Sequence, residues 1–117
     1  MSRWKKNPPS TPPIRQTAPM SSDAELAMFA AELGEAPEID LHGMSIDEAI
    51  RVADFFIDRE FVAGSEAIKI IHGRGTEKLR NAIHQFLKKD KVRVASFRDA
   101  EGMGQQGGVT LVALYRM

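Results

Sequence analysis

The sequence predicts an α/β fold of two layers, a four-stranded mixed sheet with helices packed against it, and three observations carry that prediction. Two short strand-like segments, Glu38–Leu41 and Ala67–Ile71, each end in His-Gly, and each is followed by a stretch of helical period. Two further strand-like segments, Val92–Phe97 and Val109–Leu114, are joined by a loop too short to hide a crossover helix, so they pair antiparallel. The resulting order is strand-helix-strand-helix-strand-strand.

The 117 residues are enough for one domain with a core that needs no staples. There are no cysteines, which excludes disulfides and thiolate metal sites and leaves nothing to suggest an oxidising compartment. No apolar run is long enough for a membrane span, and prolines stand where a signal peptide needs its apolar segment. A cytoplasmic protein is the default expectation.

Residues 1–21 hold Pro8, Pro9, Pro12, Pro13 and Pro19 among serines and threonines, with little apolar area beyond Trp4, Ile14 and Met20. That composition cannot offset the entropy of ordering, so a disordered tail is expected. Residues 22–37 read as a helical extension: Ser22 and Glu25 fit a capping box, Leu26, Met28, Phe29 and Leu33 make an uneven apolar stripe, and Gly34 and Pro37 end it. It either packs on the domain or serves as an arm for a partner. Residues 38–117 form the domain.

In the first strand, alternation puts Ile39 and Leu41 on one side and Asp40 and His42 on the other, or at the strand's open end. Ser45 with Glu48 is a capping box that starts the next helix. Its apolar face is Ile46, Ala49, Ile50, Ala53, Phe56, Ile57 and Phe61, and Gly64 ends it. The 67–71 strand is the most apolar, as a central position requires. After the turn His72-Gly73-Arg74-Gly75, Thr76 is the expected cap of a helix whose stripe is Leu79, Ala82, Ile83, Phe86 and Leu87. His84 lies beside that stripe and reads as a surface or boundary residue.

Right-handed crossovers make the first two strands parallel, so their carboxyl ends share an edge. The last strand runs the other way and delivers Gly107 and Gly108 there. Three separately encoded segments thus meet where open α/β sheets bind ligands. Net charge is zero, but its distribution is uneven. Residues 38–66 carry two basic and eight acidic side chains, whereas residues 69–98 carry nine basic and two acidic ones. This is either a basic face for a polyanion or two solvated helix surfaces that differ.

The Ile39-Asp40-Leu41-His42-Gly43 stretch, the His72-Gly73-Arg74-Gly75 loop ahead of a helix and the glycine-led Val109–Leu114 strand together resemble the Smr (small MutS-related) domain family over about residues 38–114. The resemblance implies a fold similar to the carboxyl-terminal domain of bacterial translation initiation factor three. It also implies nucleic-acid binding with nicking or cleaving endonuclease activity, and catalytic roles for Asp40, His42 and His72. Gly43, Gly73 and Gly75 would shape the substrate loops. Some relatives stand alone with amino-terminal extensions that dock a larger assembly such as the ribosome, a role that would fall here on residues 22–35. One departure is visible: the glycine run of many relatives reads Gln105-Gln106-Gly107-Gly108 in this chain.

Two histidines and a carboxylate suit phosphodiester cleavage, as base, acid and orienting group. With RNA the 2′-hydroxyl can be the nucleophile and no metal is needed. With DNA water attacks, and a divalent ion such as Mg or Mn held by Asp40, His42 and His72 fits equally well. Arg74 can reach a phosphate, Lys78 and Arg80 extend the positive field, and Gly107 and Gly108 complete the expected substrate contacts. The alternatives are a non-catalytic nucleic-acid- or ribosome-binding module, and a structural domain for protein partners. Asp40 and the second histidine favour the nuclease, because a site that only holds phosphate gains nothing from a carboxylate beside it.

Overall fold

The computed structural model describes residues 19–75, 77–102 and 108–116. Trp4, Ile14, Thr76, Gln105, Gln106 and Gly107, to which roles or expectations attach above, lie outside the described residues. The elements run α1 (Pro19–Ala30), a π-helical turn (Ala31–Glu35), β1 (Glu38–Asp40), α2 (Ile46–Ala63), β2 (Ala67–Ile71), α3 (Lys78–Lys89), β3 (Val94–Asp99) and β4 (Val109–Leu114). The four strands form one mixed sheet in the order β1-β2-β4-β3. β1 and β2 are parallel, while β4 is antiparallel to both β2 and β3. β1 is short, but pairing continues past both its ends through Lys69 N–H to Pro37 O (2.9 Å) and Leu41 N–H to Ile71 O (2.7 Å).

The period of two divides the sheet's side chains between two cores. Ile68, Ile70, Val94, Val112 and Leu114 face α2 and α3, where they meet Ala49, Ala53, Phe56, Ile57, Ile83 and Leu87. Each fully buried isoleucine or leucine in such a layer stabilises the fold by about 1.5–3 kcal/mol. Both ends of α2 follow the sequence. Ser45 Oγ accepts the Glu48 N–H at 3.2 Å, and Gly64 closes the helix at φ 87°.

The opposite face of the sheet is covered by the amino-terminal helix. Met28 and Ala31, with Ala24 and Ala27 beside them, pack on Ala67, Leu111, Ala113 and Ala100. Small side chains on both sides let the helix approach closely, and Arg98 fixes it by an ion pair to Glu32 (3.1 Å). The apolar stripe expected of this helix is therefore divided: Met28 is buried, whereas Leu26 and Phe29 are 67% and 58% exposed. The helix already includes Pro19–Ser22 rather than starting after Ser22.

Two boundaries elsewhere differ from the sequence reading. β3 starts at Val94 and reaches Asp99, because Asp90 accepts the N–H groups of Val92 and Arg93 and holds residues 91–93 in a turn. α3 starts at Lys78, after Glu77 in a left-handed conformation (φ 70°) with no side-chain cap. The basic segment is also partly neutralised within the fold. Arg93 pairs with Asp54 and Asp90, both at 2.7 Å, Arg80 pairs with Asp99, and Arg98 pairs with Glu32.

Candidate active site

β1 and β2 end at the same edge of the sheet, and β4 begins there. Gly108 O accepts two backbone N–H groups, from His72 (3.0 Å) and Gly73 (3.1 Å), which locks the turn after β2 onto the start of β4. The edge therefore gathers Asp40, His42, Gly43, His72, Gly73, Arg74 and Gly108, as the topology requires.

Asp40 and His42 form a dyad. His42 Nδ1–H donates to Asp40 Oδ1 at 2.7 Å, and the same oxygen accepts the His42 backbone N–H at 3.1 Å. The carboxylate thus closes a two-residue turn and orients the imidazole at once. Both side chains are open to solvent, 52% and 70% exposed. The bond from the imidazole, seconded by the one from the backbone N–H, holds the Asp40 carboxyl below its ordinary pKa. With Nδ1–H committed to Asp40, Nε2 of the neutral ring carries the lone pair, and among the described residues nothing engages it.

His72 is placed differently. It is 3% exposed and turned into the layer beneath α3. Its Nδ1–H donates to Gly73 O at 3.1 Å, and its Nε2 lies 2.8 Å from Thr110 Oγ1. His84 Nε2 lies 2.8 Å from the same hydroxyl and 3.5 Å from Asp99 Oδ1. Arg80 grips Asp99 with both arms of its guanidinium, Nε to Oδ1 at 3.1 Å and Nη2 to Oδ2 at 2.6 Å. Burial is the chief reason that both imidazoles have a lowered pKa and so favour the neutral form.

The glycines divide by what the space allows. A Cβ on Gly73 would lie 3.1 Å from His42 Cβ, and the residue has φ 83°. Gly43 needs its left-handed backbone (φ 82°), and a Cβ on Gly108 would touch Arg74 Cγ at 3.4 Å. A Cβ on Gly75 would meet nothing within 4 Å. Arg74 and Lys78 are exposed near the turn, whereas Arg80 is half-buried against Asp99.

For a metal ion, the donor set considered from sequence does not converge. Among the described residues one group of three can offer ligand atoms within 4.8 Å of one another, and it is His72, His84 and Asp99. Asp40 and His42 stand outside it and are bonded to each other. Asp40, His42 and His72 therefore do not fit as a shared metal site.

His84, Asp99 and Thr110 are the site residues that the sequence reading missed. The signal was present for two of them. Thr110 shares the alternation of Val112 and Leu114, which puts a hydroxyl on the core face of β4, and His84 lies four residues after Arg80 on one face of α3. Asp99 lies beyond the alternating Val92–Phe97 segment, and the structure extends β3 to include it.

Known proteins share this fold. Residues 39–115 match the sequence profile of the Smr domain. The chain belongs to the Smr domain family. It is 43% identical over 77 residues to the endonuclease MutS2 of Acetivibrio thermocellus, covering 66% of this chain and 10% of the relative. To the endonuclease MutS2 of Thermus thermophilus it is 40% identical over 87 residues, covering 74% of this chain and 12% of the relative. The chain thus spans about a tenth of these relatives' length. The crystal structure of the Smr domain of Thermus thermophilus MutS2 superimposes with TM-score 0.66 at 39% identity, covering 68% of this chain and 99% of that one. YdaL, a stand-alone small MutS-related protein from Escherichia coli, shares the fold at TM-score 0.63 and 23% identity, over 73% of this chain and 70% of its own. Among the described residues no helix of this Smr domain is long and apolar enough to cross a membrane.

Proposed function

We propose that this Smr domain is a nucleic-acid endonuclease whose acid–base group is the Asp40–His42 dyad. The observation that carries the reading is the 2.7 Å bond from His42 Nδ1–H to an exposed Asp40 carboxylate at the strand-end edge. An imidazole oriented this way presents Nε2 as a base, and the carboxylate stabilises the imidazolium that forms when it takes a proton. The nucleophile is the 2′-hydroxyl of RNA or a water attacking DNA or RNA. As its oxygen bonds to phosphorus the ester oxygen departs, and charge develops on the phosphoryl oxygens. Arg74 and Lys78, exposed beside the turn, are the side chains we assign to that charge. Arg80 is assigned to Asp99 rather than to phosphate, since Asp99 already occupies its fork. His72 is assigned to the turn itself, because both its nitrogens are bonded inside the protein.

Support comes from the Smr match over residues 39–115, a span that includes the dyad and the glycine turn, and from relatives that are MutS2 endonucleases. The test is incubation with supercoiled plasmid and with structured RNA, each with and without EDTA, beside Asp40→Asn and His42→Ala. Cleavage by the wild type and not by the variants is expected; binding without cleavage under every condition would sink the enzyme reading. That outcome would favour a non-catalytic nucleic-acid- or ribosome-binding module, which the withdrawal of His72 from the surface also suits. For docking to a larger assembly such as the ribosome, in the cytoplasm, we propose the outer face of α1, where Leu26 and Phe29 are exposed.

A further inference from the structure

We propose that Thr110 and His84 are positioning residues for the dyad: a shared hydroxyl proton fixes opposite tautomers on His72 and His84, and this holds the Gly73 turn against His42. The proposal rests on the endonuclease reading for its link to cleavage, but not for its geometry.

Donor counting makes the argument. Gly73 O can only accept, so His72 carries its proton on Nδ1. His72 Nε2 is then an acceptor and takes the one hydroxyl proton of Thr110, 2.8 Å away. Thr110 has no second proton to give, so the 2.8 Å contact to His84 runs the other way, with His84 Nε2–H donating. One hydroxyl between two imidazole nitrogens thus forces an Nδ1–H ring on one side and an Nε2–H ring on the other. Thr110 is wholly buried, so water does not compete for these bonds. The far end is anchored as well: Phe97 packs edge-on against His84 at 4.9 Å between centroids, and the Arg80 fork holds Asp99 beside it.

The chain of contacts leads back to the surface. His72 fixes the Gly73 carbonyl, Gly73 N–H is tied to Gly108, and Gly73 lies against the His42 side chain. Small misplacement of an oriented base costs much in rate, so a buried bracket beneath the turn affects turnover more than binding.

A divalent ion is the rival occupant of His72, His84 and Asp99. The observations favour the bracket. Both imidazole nitrogens facing the cluster already bond Thr110, and both Asp99 oxygens are taken by Arg80, whose positive charge would lie next to the ion.

The test is long-range proton–nitrogen NMR of the full-length ¹⁵N-labelled chain, as wild type, Thr110→Val and Thr110→Ser, beside cleavage assays. In the wild type His72 is expected as the Nδ1–H tautomer and His84 as Nε2–H. Thr110→Val should leave His72 as Nδ1–H, held by Gly73 O, but remove the bonds at both Nε2 atoms and so shift their resonances, move the Gly73 and His42 resonances and lower kcat on the order of tenfold with little change in KM. Thr110→Ser, which keeps the hydroxyl, should restore all three. Finding the same tautomer on both wild-type rings overturns the proposal, as does a folded Thr110→Val with unmoved turn resonances. Stoichiometric binding of added Zn²⁺ or Mn²⁺ that shifts both rings replaces it with a metal site. If Thr110→Val does not fold, the wild-type tautomers and Thr110→Ser still decide. A wild type that cuts nothing refutes the endonuclease reading alone, because the tautomers are read without catalysis.

Discussion

Gly73 and His42 come from different strand ends, yet a methyl group on the first would lie 3.1 Å from Cβ of the second. The turn after β2 and the dyad after β1 are therefore one surface, closed by an approach that leaves little room for a side chain at position 73.

Gly73→Ala should be costly for two reasons, the left-handed backbone at φ 83° and the approach to His42. The expected loss of stability is about 1–3 kcal/mol, with a fall in cleavage beyond what unfolding explains. Gly75→Ala is the control, since its added Cβ meets nothing within 4 Å. Urea denaturation and turnover of both variants check this; equal behaviour would mean that the contact with His42 is unimportant.

The helix on the second face of the sheet makes a separate prediction. Met28 is 1% exposed and packs on the alanine-lined face of β2 and β4. Met28→Ala should cost about 2–5 kcal/mol. Leu26→Ser and Phe29→Ser, on the outer side, should change stability by no more than about 0.5 kcal/mol. Thermal denaturation of the three variants distinguishes them, and any loss of cellular function in the outer pair without loss of stability would point to docking.

Acidification should destabilise the fold in two stages. His72 and His84 have pKa values lowered from 6.5, mainly by burial, so the unfolded chain binds protons that the folded chain refuses. Stability is then full above about pH 6.5 and falls as pH drops below it. Asp99, lowered from 3.8 chiefly by the hydrogen bonds from Arg80, contributes stability above that value that is lost as pH falls through its folded pKa. Melting temperatures from about pH 8 to about pH 3 should show both declines. A rise in stability between about pH 7 and about pH 5.5 would contradict the neutral, buried pair.

Much of this was legible in the sequence because it depends on period and chain direction. Alternation paired Asp40 with His42, helical crossovers put both His-Gly turns at one edge, and strand reversal brought Gly108 to them. Exposure depended on register, which the sequence does not state. Asp40 pairs with Ile71, so His72 stands level with the buried Leu41 and continues the alternation of Ile68 and Ile70 toward the helices, while His42 stands level with Gly73 and stays in water. The amino-terminal helix misled for a related reason. Leu26 and Phe29 are outside because the helix turns Met28, Ala24 and Ala27 toward Ala67, Leu111 and Ala113 instead. The basic segment was likewise partly spent on internal ion pairs, which a charge count along the chain does not reveal.

The most direct test of the account is single-turnover cleavage by Asp40→Asn against wild type, with binding measured on the same substrate. The substitution keeps the shape of the side chain but removes the charge that orients His42 and stabilises its protonated form. The account predicts a rate lower by about 10²–10⁴ with affinity nearly unchanged. A variant that binds and cuts like the wild type would contradict it.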